Sequence, residues 1–209
     1  MNIKCKLRFL SLLLFTLFAF NATAQSLTAE EKRALETRVK NKVDEYQFYL
    51  NQLGDKRSTS ETVKNNAVRL ALKLFIGEGE NYTMDGNTHG AVRMEISSKY
   101  RSSKSRIMQK RYLNNIRNNS SYDQIEITDA DVVRVDGIQR EGDHYVCMAY
   151  FCQKFIGFRD RRAVYSDITT KKVKVYVQAI EVPRADGSTQ IIWNALLGDI
   201  YVVSTKPVQ

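Results

Sequence analysis

The stretch GDHYVCMAYFCQKFIGF, residues 142–158, is the segment of the chain that decides the fold. Its centre, from about Tyr145 to Ile156, is apolar at odd and even positions alike, and no turn residue separates its two cysteines. A strand that is apolar on both faces is typical of the middle of a sheet that is covered on both sides. We therefore interpret the stretch as a central β-strand rather than as a redox or metal site or a membrane segment.

Further strands are predicted on both sides of this stretch. Two short β-rich runs, 125–127 and 132–138, precede it and are joined to it by a turn. After it, residues 173–182 alternate apolar and polar side chains, 183–188 form a turn, and 190–204 form the last strand. Strands joined by hairpins run antiparallel, so the second half of the chain predicts an antiparallel sheet.

The first half of the chain predicts helices. A capping box at Thr28 precedes apolar residues spaced three and four apart, which indicate a long helix ending at Gly54. A second box and stripe indicate a helix within 58–77. Residues 92–96 alternate as a half-buried strand does, and a third helix is expected from about Ser103 to Arg117.

This order of elements predicts an α+β fold in which N-terminal helices pack on a curved antiparallel sheet. It resembles the nuclear transport factor 2-like superfamily, also called SnoaL-like or cystatin-like α+β cones, over most of residues 25–209. The resemblance lies in the architecture, and it implies one domain with a pocket at the wide end of the cone. The superfamily includes isomerases, dehydratases, hydrolases and non-catalytic binding modules, so the fold implies no single activity.

Residues 1–24 read as a cleavable signal peptide. A basic start is followed by an apolar run, and Ala22-Thr23-Ala24 provides the small residues that signal peptidase requires. The ending NATAQ also resembles the signal peptides of exported Bacteroidetes proteins. Cleavage after Ala24 would make the protein periplasmic or secreted, with no transmembrane segment left in residues 25–209.

The cysteines and histidines do not form a recognisable site. Cys147 and Cys152 are five residues apart, so on a strand they point to opposite faces, about 16 Å apart. A disulfide needs Cα atoms within about 7 Å, which favours two free thiols, with a bond between chains left open as an alternative. The two histidines, His89 and His144, have no metal-binding spacing. We therefore expect no metal and no cofactor, and a zinc site assembled by the fold from His89, His144 and a loop carboxylate is left open as the alternative.

Side chains that would line the expected pocket are candidates for function. Asp143, His144 and Tyr145 are the catalytic candidates, because related enzymes pair an aspartate or histidine with a tyrosine. Tyr145, Tyr150 and Trp193 are the ligand-binding candidates, since a pocket needs an apolar wall. Four further residues could supply acid–base groups to the same pocket: Asp129, Asp131, Asp136 and Tyr165.

A basic block between residues 96 and 122 contains seven cations and no acid. On the expected third helix, Arg106, Lys110 and Arg117 would cluster beside the apolar face. We interpret them as a solvated surface or as an anion-binding surface for an envelope glycan, a lipopolysaccharide phosphate or an acidic protein partner. Nucleic acid is not an expected partner of an exported protein.

The function expected from the sequence is binding rather than catalysis. The protein is read as an exported non-catalytic module for a small ligand, an envelope component or a protein partner. The alternative is a small acid–base enzyme, an isomerase, dehydratase or hydrolase, that uses a pocket Asp or His with a Tyr. The resemblance also allows a homodimer formed through the outer face of the sheet.

Overall fold

The computed structural model describes residues 27–208 and, within that range, all side chains except those at 129–133 and 191. The predicted signal peptide, residues 1–24, lies outside the described residues. Residues 33–208 belong to one compact unit, and residues 27–32 are the described part of another. None of the described helices combines the length and the apolar character needed to cross a membrane.

Three α-helices lie in the described residues, together with one short 3-10 helix. Their bounds are α1 Ala29–Gly54, α2 Glu61–Leu72, the 3-10 helix Ile76–Gly79 and α3 Gln109–Arg117. The capping box at the start of α1 forms as expected, with the Thr28 amide donating to Glu31 Oε2 at 2.8 Å. The predicted apolar stripe of α1 is fully buried: Leu35, Val39, Val43, Tyr46, Leu50 and Leu53.

The strands form a two-stranded hairpin and a six-stranded sheet that does not close. Their bounds are β1 Tyr82–Met84, β2 Asn87–His89, β3 Arg93–Ser98, β4 Arg101–Met108, β5 Gln124–Glu141, β6 His144–Arg159, β7 Arg162–Pro183 and β8 Thr189–Pro207. The large sheet has the order β4-β3-β8-β7-β6-β5. This confirms the α+β class. The sheet is mixed rather than purely antiparallel, because β3 and β8 pair in parallel through Met94 and Ile200.

The third predicted helix begins later than its apolar pattern suggested. We expected it from about Ser103, but residues 101–108 form β4, which pairs antiparallel with β3, and α3 starts only at Gln109. Pairing with β3 gives the β4 backbone its hydrogen-bond partners, and this tertiary pairing outweighs local helical periodicity. Arg106 therefore lies on a strand, and only Lys110 and Arg117 of the predicted basic cluster lie on the helix.

The quoted stretch forms β6, which pairs with β5 on one side and β7 on the other. Its odd-numbered side chains from Cys147 to Gln153 are buried, whereas the even-numbered ones from Met148 to Lys154 are half-buried. The central-strand prediction is confirmed. On the even-numbered face, however, only His144 and Val146, at the start of the strand, are buried. Cys147 and Cys152 are both free thiols and lie on opposite faces, as the strand parity predicted.

The helices pack on the odd-numbered face of β6. Gln153 of β6 donates through Nε2 to Gln47 Oε1 of α1. Gln109 of α3 donates to the Tyr46 hydroxyl of α1 at 2.9 Å. These two polar contacts lie inside the core and fix α1 and α3 relative to each other and to the sheet.

The end of α1 approaches β5 so closely that only glycine fits at residue 54. A Cβ atom on Gly54 would lie 2.5 Å from the carbonyl oxygen of Ile125, and backbone cannot move away as a side chain can. We expect Gly54→Ala to lower the free energy of unfolding by about 1–3 kcal/mol, the usual cost of overpacking. Gly90→Ala is the control, because a Cβ there meets nothing within 4 Å. Equal urea midpoints for the two variants would contradict this contact.

Candidate functional site

A cavity of about 350 Å³ opens on the helix-covered side of the sheet, between α3, the β3–β4 hairpin and strands β5–β7. We call it the Lys171 cavity. Its polar side chains include Tyr165, Asp167 and Lys171 from β7 and Gln153 from β6. Its apolar wall includes Phe155 and the ring of Tyr112 from α3. This volume lies within the range of cavities that bind small molecules.

The alternation of β7 aims these polar groups inward. Val173, Val175 and Val177 are buried in the core. Side chains two residues apart share a strand face, so Lys171 and Asp167 point to the same side as the valines. Both are nearly buried, with exposed fractions of 5% and 4%. The apolar end of this face therefore builds the core, and its polar end builds the cavity.

Tyr165 and Asp167 form a hydrogen-bonded pair in the cavity. The Tyr165 hydroxyl donates to Asp167 Oδ2, and it lies 3.0 Å from Ser98 Oγ. The backbone amide of Lys99 also donates to this hydroxyl at 3.3 Å. Burial raises the pKa of the Asp167 carboxyl, although the Tyr165 hydrogen bond and the charge of Lys171 act to lower it. The carboxyl thus holds a proton at a higher pH than an exposed aspartate does.

Lys171 is a buried amine with no ion-pair partner among the side chains that the structure describes. Its Nζ donates to Gln153 Oε1 and lies 5.5 Å from the ring centroid of Tyr112. None of the ion pairs within 4.0 Å among the described residues includes Lys171. Burial lowers the pKa of this amine to about 8, and the more distant charge of Asp167 acts in the opposite direction.

Gln153 gives the amine a neutral partner in a fixed orientation. Its amide nitrogen donates to Gln47 Oε1 on α1, so its amide oxygen faces Lys171. An amide oxygen accepts a hydrogen bond but adds no negative charge, whereas a carboxylate at the same place would raise the pKa of the amine. The arrangement keeps Lys171 hydrogen-bonded while its pKa stays at about 8, so that a minor but substantial fraction of the amine is uncharged at physiological pH.

Of the acid–base candidates, the structure places Tyr165 in the cavity, and the side chains of Asp129 and Asp131 lie outside the described part of the chain. Asp167, Lys171 and Gln153 were missed, although extending the alternation of 173–177 backwards along β7 would have found the first two. Polar residues of a strand usually face solvent, but Asp167 and Lys171 continue the buried face of β7. Tyr112 offered no such signal, because its approach to β7 depends on how α3 packs.

The three ligand-binding candidates do not form a single site, although two of them contact each other. Tyr145 and Trp193 contact each other edge to face, with ring centroids 5.6 Å apart. Tyr150 lies on the opposite face of β6, where Arg134 covers its ring at 4.6 Å. None of these three lines the Lys171 cavity.

The catalytic candidates Asp143 and His144 lie at the turn between β5 and β6, outside the cavity. His144 is buried, and its Nδ1 lies 3.2 Å from Asp143 Oδ1. Asp85, from the β1–β2 turn, brings a third ligand atom within 4.8 Å of these two. These residues are the metal-ligand group that the described side chains offer, although we expected no metal from the sequence.

Each predicted anion-binding side chain contacts a neighbour of its own. Arg106 pairs with Asp199, Lys110 pairs with Glu80 at 2.7 Å, and Arg117 donates to Asn65. With Arg106 on β4 and the other two on α3, they do not form the single helix face that the sequence suggested.

No family model, curated protein or solved structure matches this chain. The resemblance to the nuclear transport factor 2-like superfamily therefore stays a prediction from the order of elements. The Lys171 cavity is the candidate functional site. Asp167 and Lys171 both line it, and burial shifts the pKa values of both groups, as is common in active sites.

The buried amine should make stability depend on pH in a defined direction. The pKa of Lys171 is about 8 in the folded chain against 10.5 for a free lysine, so between these values the unfolded chain binds more protons. Burial of the charged Lys171 amine therefore lowers the free energy of unfolding at pH 7. This loss, on the order of 3 kcal/mol, is recovered as pH rises from about 8 to 10.5.

We expect Lys171→Met to be more stable than the wild type at pH 7, with a difference that shrinks as pH approaches 10.5. Urea denaturation of both proteins across this range measures it. Lys172→Met, the next residue of β7 on the opposite face, controls for the loss of a positive charge. A Lys171→Met variant less stable than the wild type at pH 7 would show that the amine stabilises the fold.

Proposed function

We propose that this chain is an exported protein of the nuclear transport factor 2-like type that binds a small polar ligand in the Lys171 cavity. The supporting observation is the amine of Lys171, which is buried at the cavity wall with no carboxylate in ion-pair contact among the described residues. Burying an unpaired cation costs stability, and an apolar side chain would fill the same place more cheaply. A cost of this kind, placed in a cavity, favours a functional role.

The wall of the cavity indicates the chemistry of the ligand. Lys171 offers a donor to an oxygen acceptor, and the Tyr165–Asp167 pair offers a second polar contact. Phe155 and Tyr112 supply flat apolar surface. A cavity of about 350 Å³ suits a compact molecule, such as a carboxylic acid or a carbonyl compound with one ring.

The export and fold parts of the proposal rest on separate support. The basic start, apolar run and Ala22-Thr23-Ala24 ending support export of the chain after cleavage at Ala24. The helices that cover one face of a sheet of long strands, with a cavity between them, support the nuclear transport factor 2-like type.

Benzoate is a suitable probe, because it presents a carboxylate on a flat ring and has no reactive carbonyl. We expect saturable binding of benzoate to the wild type, measured by calorimetry. Lys171→Met should weaken it at least about tenfold, since a hydrogen bond to a charged group contributes about 1.5–3 kcal/mol. Lys172→Met should bind as the wild type does. Equal affinity of Lys171→Met and the wild type would reject the cavity as the binding site.

An acid–base enzyme is the second candidate, and the raised pKa of Asp167 favours it. A carboxyl with a pKa nearer neutrality exchanges protons with substrate carbon or oxygen more effectively than an exposed aspartate. Once Asp167 has taken the substrate proton, the Tyr165 hydroxyl no longer needs to donate to it, and its one proton can be donated to an oxyanion on the substrate. In this proposal Asp167 takes the role that the sequence assigned to Asp143 or His144.

A proton-abstraction assay tests this second candidate. We expect the wild type to speed deuterium exchange from solvent into the carbons beside the carbonyl of cyclohexanone. Asp167→Asn should lower the exchange rate at least about a hundredfold, because a general base usually contributes a hundredfold or more to the rate. Asp143→Asn is the control, because this side chain is 82% exposed and lies outside the cavity. Exchange that is no faster than in buffer would reject the enzyme.

A further inference from the structure

We propose that the Lys171 amine is a nucleophile that forms an imine with small aldehydes and ketones entering the cavity. The inference rests on the proposed binding function, since it uses the same cavity, and it names the class of ligand. It assigns to Lys171 a covalent role in addition to hydrogen bonding.

The position of Nζ suits this role. It belongs to a side chain that lines the cavity, and its polar and aromatic neighbours include the Gln153 amide oxygen, the Tyr112 ring and the Met94 sulfur at 3.9 Å. All three are neutral groups. A lysine that serves stability is normally paired with a carboxylate when it is buried, and Lys171 has no such partner within 4.0 Å in the described part of the chain.

The buried position of Lys171 also favours the uncharged amine, whose nitrogen has the lone pair that attack on a carbonyl carbon requires. An ammonium cannot attack a carbonyl carbon, and burial is the usual means by which proteins keep a nucleophilic lysine neutral. The pKa of about 8 leaves a substantial neutral fraction of Lys171 at pH 7.5, whereas an exposed lysine is almost fully protonated there.

The reaction balances with the groups that line the cavity. The neutral amine attacks the carbonyl carbon, a C–N bond forms, and the π electrons of the C=O bond move to oxygen. The nitrogen gives up a proton and the oxygen gains one, which yields a carbinolamine. Asp167 lines the same cavity, and its raised pKa makes it a better proton donor to the carbonyl oxygen than an exposed aspartate would be. Loss of the hydroxyl as water, with the second amine proton, leaves the imine, and no oxidant or reductant is consumed.

Benzaldehyde is the probe, and sodium borohydride converts any imine into a stable benzylamine. We expect the full chain to gain one benzyl group at pH 7.5, which peptide mapping places on Lys171. Labelling there should be at least about tenfold faster than at any other lysine, because an exposed lysine is largely protonated at this pH. The rate should rise with pH up to about 8 and then level off, following the amine pKa.

Two variants and a competitor make the test specific. Lys171→Arg keeps a cation and should lose the rapid label, whereas Lys172→Arg should be labelled as the wild type is. Benzoate should slow labelling of Lys171 in the wild type and leave the slow labelling of other lysines unchanged, which tests the site without any substitution. Benzyl groups spread over several lysines, with no preference for Lys171, would overturn the proposal.

The outcome separates the imine from the binding function on which it rests. If benzoate binds through Lys171 and benzaldehyde leaves no benzyl group there, the cavity binds ligands and the nucleophile is rejected. If neither probe depends on Lys171, both proposals fail. Rapid labelling of Lys171 that benzoate blocks supports both.

Discussion

The two-residue alternation of β7 is the constraint on which both the core and the cavity depend. Along one face of this strand, Val173, Val175 and Val177 fill the core, and Lys171 and Asp167 continue the same row into the cavity. A shift of one residue in the pairing of β7 would expose the valines and remove both polar groups from the cavity. Hydrophobic burial at one end of the strand therefore also fixes the register of the polar end.

The sequence predicted the elements better than it predicted the site. The apolar stripe of α1, the parity of β6 and the α+β class could be read because each depends on local periodicity and burial. The start of α3 could not, because residues 101–108 take their hydrogen bonds from β3. The Lys171 cavity escaped prediction for a related reason. Tyr112 and Lys171 are far apart in the chain and meet only through packing, and polar side chains on a strand ordinarily face solvent.

At the polar end of the cavity, the charged groups are hydrogen-bonded to neutral partners rather than to each other. Gln47 orients Gln153, and Gln153 accepts from Lys171. The carboxyl of Asp167 bonds to Tyr165 instead of to the amine. Burial moves the pKa values of the two titratable groups towards each other, the amine downwards and the carboxyl upwards, and direct contact between them would oppose both shifts. Proton transfer between groups so matched costs less than it would between an exposed lysine and an exposed aspartate.

The parallel contact between β3 and β8 has a consequence for how the chain can fold. The 19 residues of β8 lie between β3 and β7, so they join the β3–β4 hairpin to the β5–β7 strands. Before β8 is in place, β3 and β7 each present an unpaired edge, and such edges invite pairing with other chains. Completion of the sheet therefore waits for β8, which follows the other strands in the chain, and contacts so distant in sequence form slowly. The docking of β8 is therefore the step that removes these edges, and a substitution that delayed it would favour aggregation during refolding.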